Sequence, residues 1–422
     1  MPDMLFARRN GELLDLPGIG MTGKAGNRFV KPTGKDLIFL PKGATLTALP
    51  YRIPVGINRR SGKFSLIRWN PYSRKKEEIW AVGALLPQGF TRTLLPGFSG
   101  GGGLKPLPLL GYSAVGLDQG KFVVAANQTD EDYLWNPVHY NTEDLVELVE
   151  QKKKDFPQNR LIKQLGICVL EYGCFTAQNI FYQRWEGGIP VSPKCNARCV
   201  ACISSQPSEC CPAPQRRLDF IPTVKEIEEL AVCHLSSGKD AIISFGQGCE
   251  GEPSLQAGLI AQSIAGVRKM ESRGTINMNT NAGDTQKIKE IIDAGLNSIR
   301  VSMISPTPEI YHAYHRPHGY HFGNVLESLK YASVSGVYTS LNLLVFPGIT
   351  DDESELDVLL KLVRKVGINK IQLRNLNIDP DMMMKILPKR MNNPLGIPRM
   401  IELLKKEAPG LEIGSYSRAV EK

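Results

Sequence analysis

Between residues 223 and 378 helical stretches alternate with short apolar strands, and that alternation leaves few folds open to the chain. Thr223 to Ser237 has helical spacing, opened by Thr223 as an N-cap and closed by Gly238. Asp240 to Gly246 (DAIISFG) is an apolar strand, followed by a helix over Leu255 to Ser272 and a strand over Thr275 to Asn281. A helix Thr285 to Ala294 ends at Gly295, a strand Ser298 to Ser305 follows, and a helix Phe322 to Ser335 stops at Gly336. The strand Thr339 to Phe346, the helix Asp352 to Val366 with Gly367 behind it, and the strand Lys370 to Ile378 complete the series. Strands joined by helices predict a parallel sheet wrapped by helices. With one more strand before Cys195 there are six βα units, a partial barrel whose chemistry belongs at the carboxyl ends of its strands.

The stretch after that first strand reads Cys195-Asn196-Ala197-Arg198-Cys199-Val200-Ala201-Cys202. Thiolates suit iron, and a cubane cluster takes four ligands. Three cysteines spaced C-x-x-x-C-x-x-C close on one cluster and leave one iron without a protein ligand. The same residue types build structural zinc sites with a fourth Cys or His, and Cys210 and Cys211 lie just downstream. The zinc alternative describes a non-catalytic protein that binds nucleic acid or a partner.

The cysteine spacing resembles that of the radical SAM superfamily, in which the amino and carboxylate groups of S-adenosylmethionine chelate the open iron. The likeness extends in order along the chain. Gly251-Glu252-Pro253, after Glu250, is similar to the Gly-Gly-Glu stretch that holds the methionine ammonium, with Glu250 where the family has its first glycine. Asn279-Thr280-Asn281 resembles the Thr-Asn-Gly of the third strand, Ser302 matches a serine of the fourth, and Phe346 to Asp351 is similar to the proline-glycine turn after the fifth.

The resemblance covers about residues 188 to 378. It implies a partial (βα)6 TIM-like barrel, a [4Fe-4S] cluster on Cys195, Cys199 and Cys202, and S-adenosylmethionine contacted by Glu250, Gly251, Glu252, Pro253, Thr280, Asn281 and Ser302. It also implies an oxygen-sensitive enzyme that takes one electron from a donor such as flavodoxin or ferredoxin. That electron cleaves the cofactor to a 5′-deoxyadenosyl radical for hydrogen abstraction from a peptide, a metabolite or RNA.

The remainder of the 422 residues divides into a β-rich domain over 1–140, a helical connector over 141–187, the barrel over 188–380 and an α/β extension over 381–422. In the first, Val55-Gly56-Ile57-Asn58 with Gly62 to Ile67 recurs as Val115-Gly116-Leu117-Asp118 with Gly120 to Val124, a duplicated hairpin. Its role is either to cap the barrel or to hold a substrate over the cluster. The glycine run Gly100 to Gly103 lacks the Lys-Ser/Thr of a phosphate loop and reads as linker.

The connector reads as helices over Thr142 to Phe156 and Gln158 to Tyr182, broken by Pro157, with Cys168 and Cys174 as core thiols of the second. Cys249, at the end of a strand, is a candidate hydrogen-atom donor, a ligand to an auxiliary cluster together with Cys210 and Cys211, or the methyl carrier of a methyltransferase. His312, His315, His318 and His321 follow the fourth barrel strand near Pro317 and Gly319, and read as a substrate-facing loop or as surface.

A net charge of +9, from 51 basic and 42 acidic residues, permits an anionic partner, but the basic residues are scattered apart from Arg74 to Lys76 and Lys152 to Lys154. Nine cysteines without a framework spacing argue against a secreted disulfide scaffold. With no apolar run of membrane length and no signal-like amino terminus, the expectation is a cytoplasmic protein with no membrane partner.

Overall fold

Seven parallel strands, ordered as they occur in the sequence, form the sheet that carries the cysteine loop. They are β1 Arg184–Gly188, β2 Lys239–Phe245, β3 Thr275–Thr280, β4 Ser298–Met303, β5 Tyr338–Val345, β6 Lys370–Asn375 and β7 Glu412–Gly414. The computed structural model describes residues 1–100, 104–131, 133, 136–206, 211–388 and 393–420. Cys210 and three residues of the glycine run, 101–103, lie outside them.

Local sequence accounts for the elements. The helix Val224–Ser237 opens with a reciprocal capping box, in which the Glu226 amide donates to Thr223 Oγ1 (3.2 Å) and the Thr223 amide to Glu226 Oε2 (2.8 Å). Asp284 and Asp352 cap Thr285–Asp293 and Glu353–Val366 in the same role, and Gly367 ends the latter at φ +82. The helices bury one face against the sheet with Ile276, Met278, Ile299, Val301, Leu341, Leu343, Ile371 and Leu373 beneath them.

Three features depart from the sequence reading. The stretch Gln158 to Tyr182 is two helices, Arg160–Leu170 and Phe175–Tyr182, because Gly173 turns the chain at φ +59; Cys174 is the N-cap of the second rather than a mid-helix core residue. An additional helix, Pro308–His315, follows β4. The extension after β6 contributes two helices, Pro380–Ile386 and Ile397–Glu407, and then β7, which pairs with β6 in the register Ile371↔Ile413 and so adds a seventh strand to the six expected.

The amino-terminal strands form a mostly antiparallel sheet. Both expected hairpins are present and share a register, Val55↔Leu66 to Ile57↔Phe64 in one and Val115↔Val124 to Asp118↔Lys121 in the other. This domain seats on the carboxyl ends of β5 and β6. The buried Arg92 donates to the carbonyls of Val345 (3.0 Å) and Leu376 (2.7 Å), and its amide donates to Asn375 Oδ1 (2.8 Å). Arg52 pairs with Asp379 at 2.6 Å, the two side chains being 4% and 2% exposed. No helix among the described residues is long and apolar enough to cross a membrane.

His234 ties the helix before β2 to the start of β1 by donating through Nε2 to the Trp185 carbonyl at 2.9 Å. Burial holds its pKa down to about 4, against the raising effect of that carbonyl. A depressed value stabilises the fold above the unfolded value near 6.5, and that stability is lost as pH falls toward 4. Urea titrations of the metal-free chain at pH 7 and pH 5 are therefore expected to differ by about 2 kcal/mol from this group. His234→Gln, which keeps the donor but cannot titrate, is expected to remove that share of the difference.

Candidate active site

The loop from Ile189 to Gln206 leaves the carboxyl end of β1 and carries the three cysteines. It is fastened on two sides. On one, the Arg198 amide reaches the His315 carbonyl (3.2 Å), the Val200 amide the Tyr314 carbonyl (3.0 Å), and the His318 amide the Asn196 carbonyl (2.8 Å), so the loop docks on the last turn of Pro308–His315. On the other, the Gly251 amide donates to the Ser192 carbonyl (2.7 Å) and the Glu252 amide to the Lys194 carbonyl (2.8 Å). A Cβ at Gly251 would stand 2.0 Å from the Lys194 oxygen, so only glycine permits this approach.

Two buried carboxylates complete the fastening. Glu250, 4% exposed, accepts from the amides of Val191 (2.8 Å) and Ser192 (2.9 Å) through Oε2 and from those of Gly246 (2.6 Å) and Gln247 (3.0 Å) through Oε1. Burial raises its pKa to about 7, with the four amides working the other way. Glu252, 3% exposed, accepts from the Asn281 amide (2.8 Å), the Ser254 amide (3.0 Å) and the Thr280 hydroxyl (2.5 Å), which ties the turn after β2 to the end of β3. Glu250 thus occupies the family glycine position as a clamp on backbone amides, and Thr280 is engaged with Glu252. Pro253 starts the short helical turn Pro253–Gln256.

The three thiols lie close enough to affect one another. Burial first, and then the thiols of Cys195 and Cys202, push Cys199 well above the usual thiol range. Burial and the Glu252 charge push Cys195 up to about 11. Metal binding by this loop must therefore expel thiol protons. Around them stand Arg217, which the sequence reading did not select, His315, which it read as loop or surface, and Asn281, which it expected at the cofactor. The buried His315 has Nδ1 3.4 Å from Cys199 Sγ and an Nε2 with no partner, Arg217 lies 3.5 Å from Cys202 Sγ, and Asn281 Nδ2 donates to Asn196 Oδ1 at 2.6 Å. His315 is neither surface nor loop, because the helix Pro308–His315 turns it inward. Arg316 in the left-handed region (φ +46) ends that helix before Pro317, which is why the proline does not disturb it.

Cys249 is placed differently from the other candidates. Its thiol is 7% exposed and faces Cys168 and Cys174 of the helical connector, in the core under the sheet, and it does not line the cavity beside the cysteine loop. Ser302 does line that cavity, together with Gly246, Gln247 and Asn279.

Residues 189–360 match the family model of the radical SAM superfamily. These residues are a radical SAM domain. Enzymes of this superfamily use a [4Fe-4S] cluster and S-adenosylmethionine, and three thiols on one half-buried loop at the strand ends supply the donor type that such a cluster takes, while among the described residues no three His, Cys, Asp or Glu side chains converge on a single-ion site. The chain is 27% identical over 168 residues to a GTP 3′,8-cyclase of Staphylococcus haemolyticus (strain JCSC1435), a match that covers 39% of this chain and 47% of the relative, so that the chain spans about half the length of that protein. Among solved structures it is similar to methylornithine synthase (12% identity, TM-score 0.38, 68% of this chain and 75% of that one). It is also similar to a radical SAM methyltransferase from Sphaerobacter thermophilus (14% identity, TM-score 0.39, 54% and 66%).

Replacing Glu250 by Gln turns an amide NH2 toward backbone N–H groups and leaves buried donors unsatisfied, which costs about 2–3 kcal/mol. The expected outcome is a lowered urea midpoint together with a lower iron content after reconstitution, because the cysteine loop loses its anchor to β2. Unchanged stability would remove the clamp role.

Proposed function

We propose that this protein is a radical SAM enzyme in which Cys195, Cys199 and Cys202 hold the cluster and the turn Gly251 to Pro253, with Thr280, Asn281 and Ser302, receives S-adenosylmethionine. The observation that carries this reading is the anchoring of a three-cysteine loop, by Glu250 and Glu252, directly over the carboxyl ends of β1 to β3. When bound, the reduced cluster supplies one electron that splits S-adenosylmethionine into methionine and a 5′-deoxyadenosyl radical.

The chain's own residues position and protect. Because both oxygens of Glu250 and of Glu252 accept hydrogen bonds from the protein, the methionine ammonium falls to the peptide carbonyls of the turn, which accept from it as a carboxylate would. Ser302 and Asn279 present a hydroxyl and an amide to the cavity side of the cofactor. His315, Tyr311 and Tyr314 close the far side of the cysteine loop and exclude water from the thiols; burial holds His315 near pKa 3, so its imidazole stays neutral there.

An external one-electron donor of the flavodoxin or ferredoxin kind would supply the electron, and a cytoplasmic placement would give the protein access to such donors. The substrate is a separate matter, since the cyclase relative is only half covered by this chain. The methyltransferase alternative loses its proposed carrier, because the Cys249 thiol is turned toward Cys168.

Anaerobic reconstitution with iron and sulfide, reduction with dithionite and addition of S-adenosylmethionine is expected to yield 5′-deoxyadenosine by mass spectrometry. Cys199→Ala is expected to lower that yield at least a hundredfold. One zinc per chain, with no cluster assembled, would replace the enzyme reading with the zinc-protein reading.

A further inference from the structure

The inside of the barrel is polar. Glu186 on β1, Ser244 on β2, Asn277 and Asn279 on β3, Arg300 and Ser302 on β4, Asn342 on β5 and Gln372 and Arg374 on β6 alternate with the apolar residues under the helices. Of these, Glu186, Asn279, Arg300, Ser302, Asn342 and Arg374 line a cavity of about 1200 Å³ that runs from Gly246 and Gln247 at the strand ends toward Thr275 and Val420 at the opposite end. That exceeds the ~300–1000 Å³ usual for one small ligand and leaves room for a second molecule beside S-adenosylmethionine.

Its charges do not balance. Among the described residues two carboxylates line the cavity, Asp240 at its exposed edge and Glu186, and Glu186 is committed: it accepts from the Ser244 hydroxyl (2.6 Å) and from Arg300 (3.2 Å), and Arg300 also donates to Gln372 Oε1 (2.7 Å) and the Ser417 hydroxyl (2.8 Å). Arg374 has only a long contact to Gln372 Oε1 (3.4 Å), and no carboxylate of the described residues lies within ion-pair distance of it. It is enclosed by protein yet keeps surface toward the cavity. Burial, with Arg300 adding to it, lowers its pKa to about 10 against the raising effect of the Glu186 and Asp130 charges, so it remains a cation at neutral pH. Glu186, its nearer counter-charge, is shared with Arg300, so two buried guanidiniums face one committed carboxylate, and such an excess of buried positive charge is costly unless an anion joins it.

Beside it, polar atoms stand without partners: Arg300 Nε, which is buried, Asn342 Oδ1 and the Tyr416 hydroxyl. Another part of the lining is aromatic, with the Arg184 guanidinium over the rings of Trp185 (4.4 Å) and Tyr140 (5.3 Å). Trp185 packs edge-on against Tyr133 (5.4 Å between ring centres) and Tyr140 lies flat on Phe175 (3.8 Å). Trp185 is held at φ +49, a region that costs a side-chain-bearing residue about 1–2 kcal/mol, next to a bulge between Arg184 and Glu186 that redirects β1.

We propose that this cavity binds a small anionic substrate, with its phosphate or carboxylate on Arg374 beside Arg300 and its planar part beside Trp185. The inference rests on the radical SAM reading for its chemistry, not for its binding. The cofactor's own carboxylate does not fill the site. It is needed at the cysteine loop, whereas Arg300 lies two residues before Ser302, about 7 Å deeper along the strand; Arg374 starts nearer the strand ends, paired with Leu344, but its guanidinium reaches back to the Gln372 Oε1 that Arg300 also binds.

Calorimetry on the reconstituted full-length protein, saturated with S-adenosylmethionine and left unreduced, tests this with two matched probe pairs: GMP against guanosine, and indole-3-acetate against indole. The expected result is that one anionic probe binds at least tenfold more tightly than its neutral partner, GMP identifying a phosphate and indole-3-acetate a carboxylate. Arg374→Gln is expected to abolish that preference and Arg374→Lys to retain most of it. Equal binding of charged and neutral probes, no binding of any probe, or a preference that survives Arg374→Gln would overturn the assignment, and the wild-type comparison needs no variant to fold. Probe binding is read without turnover. Wild-type protein that binds GMP but takes up one zinc per chain and assembles no cluster would sink the radical reading and leave the anion site, and the converse pattern would sink the site alone.

Discussion

Two buried carboxylates hold the working end of this molecule together. Glu250 gathers four backbone amides from the ends of β1 and β2, and Glu252 joins the turn after β2 to the end of β3. Strand ends and their loops leave amides unpaired, and burying those amides without partners would be expensive. By satisfying them, the two side chains allow the cysteine loop to lie close over the sheet instead of in solvent. The close approach at Gly251, the docking of the loop on Pro308–His315 and the enclosure of the thiols all follow from that closeness.

Beneath the loop, the barrel separates its two faces by chemistry. Residues of β3 to β6 that point outward are aliphatic and pack under helices, and those pointing inward are Asn, Arg, Ser and Gln. A sheet buried on both faces usually reads as a continuous apolar run, so the polar inner set marks a face that encloses a cavity rather than a packed core. The amino-terminal domain then closes part of the strand-end side. Arg92 satisfies carbonyls at the ends of β5 and β6, while the buried Arg52–Asp379 pair also accepts the Leu107 amide (2.8 Å) and fixes where that domain sits.

Much of this could be read locally. Capping residues and terminal glycines located the helices to within a residue or two, since a cap acts on the turn beside it. The hairpins showed themselves through their Gly-containing turns. What stayed hidden was short or depended on distant partners. The three residues of β7 are too few to show a period, and β7 exists only because β6 offers an open edge. Pro317 and Gly319 obscured the helix Pro308–His315 that ends just before them. The inner polar set was visible as a period of two, as in the Asn277–Asn279 and Arg300–Ser302 pairs, but these strands were read only as members of a parallel sheet.

The sequence by itself determined the order of strands and helices, the three-thiol donor set and the place of that set after the first strand, because spacing, capping and hydrophobic period are properties of neighbours along the chain. Tertiary structure alone decided that Glu250 grips amides, that Cys249 turns toward Cys168, that His315 reaches Cys199, and that Arg374 shares its nearer counter-charge, Glu186, with Arg300. Each of those facts depends on which groups from remote segments share a low-dielectric interior, where hydrogen-bond satisfaction and charge balance are set by position in space rather than in sequence.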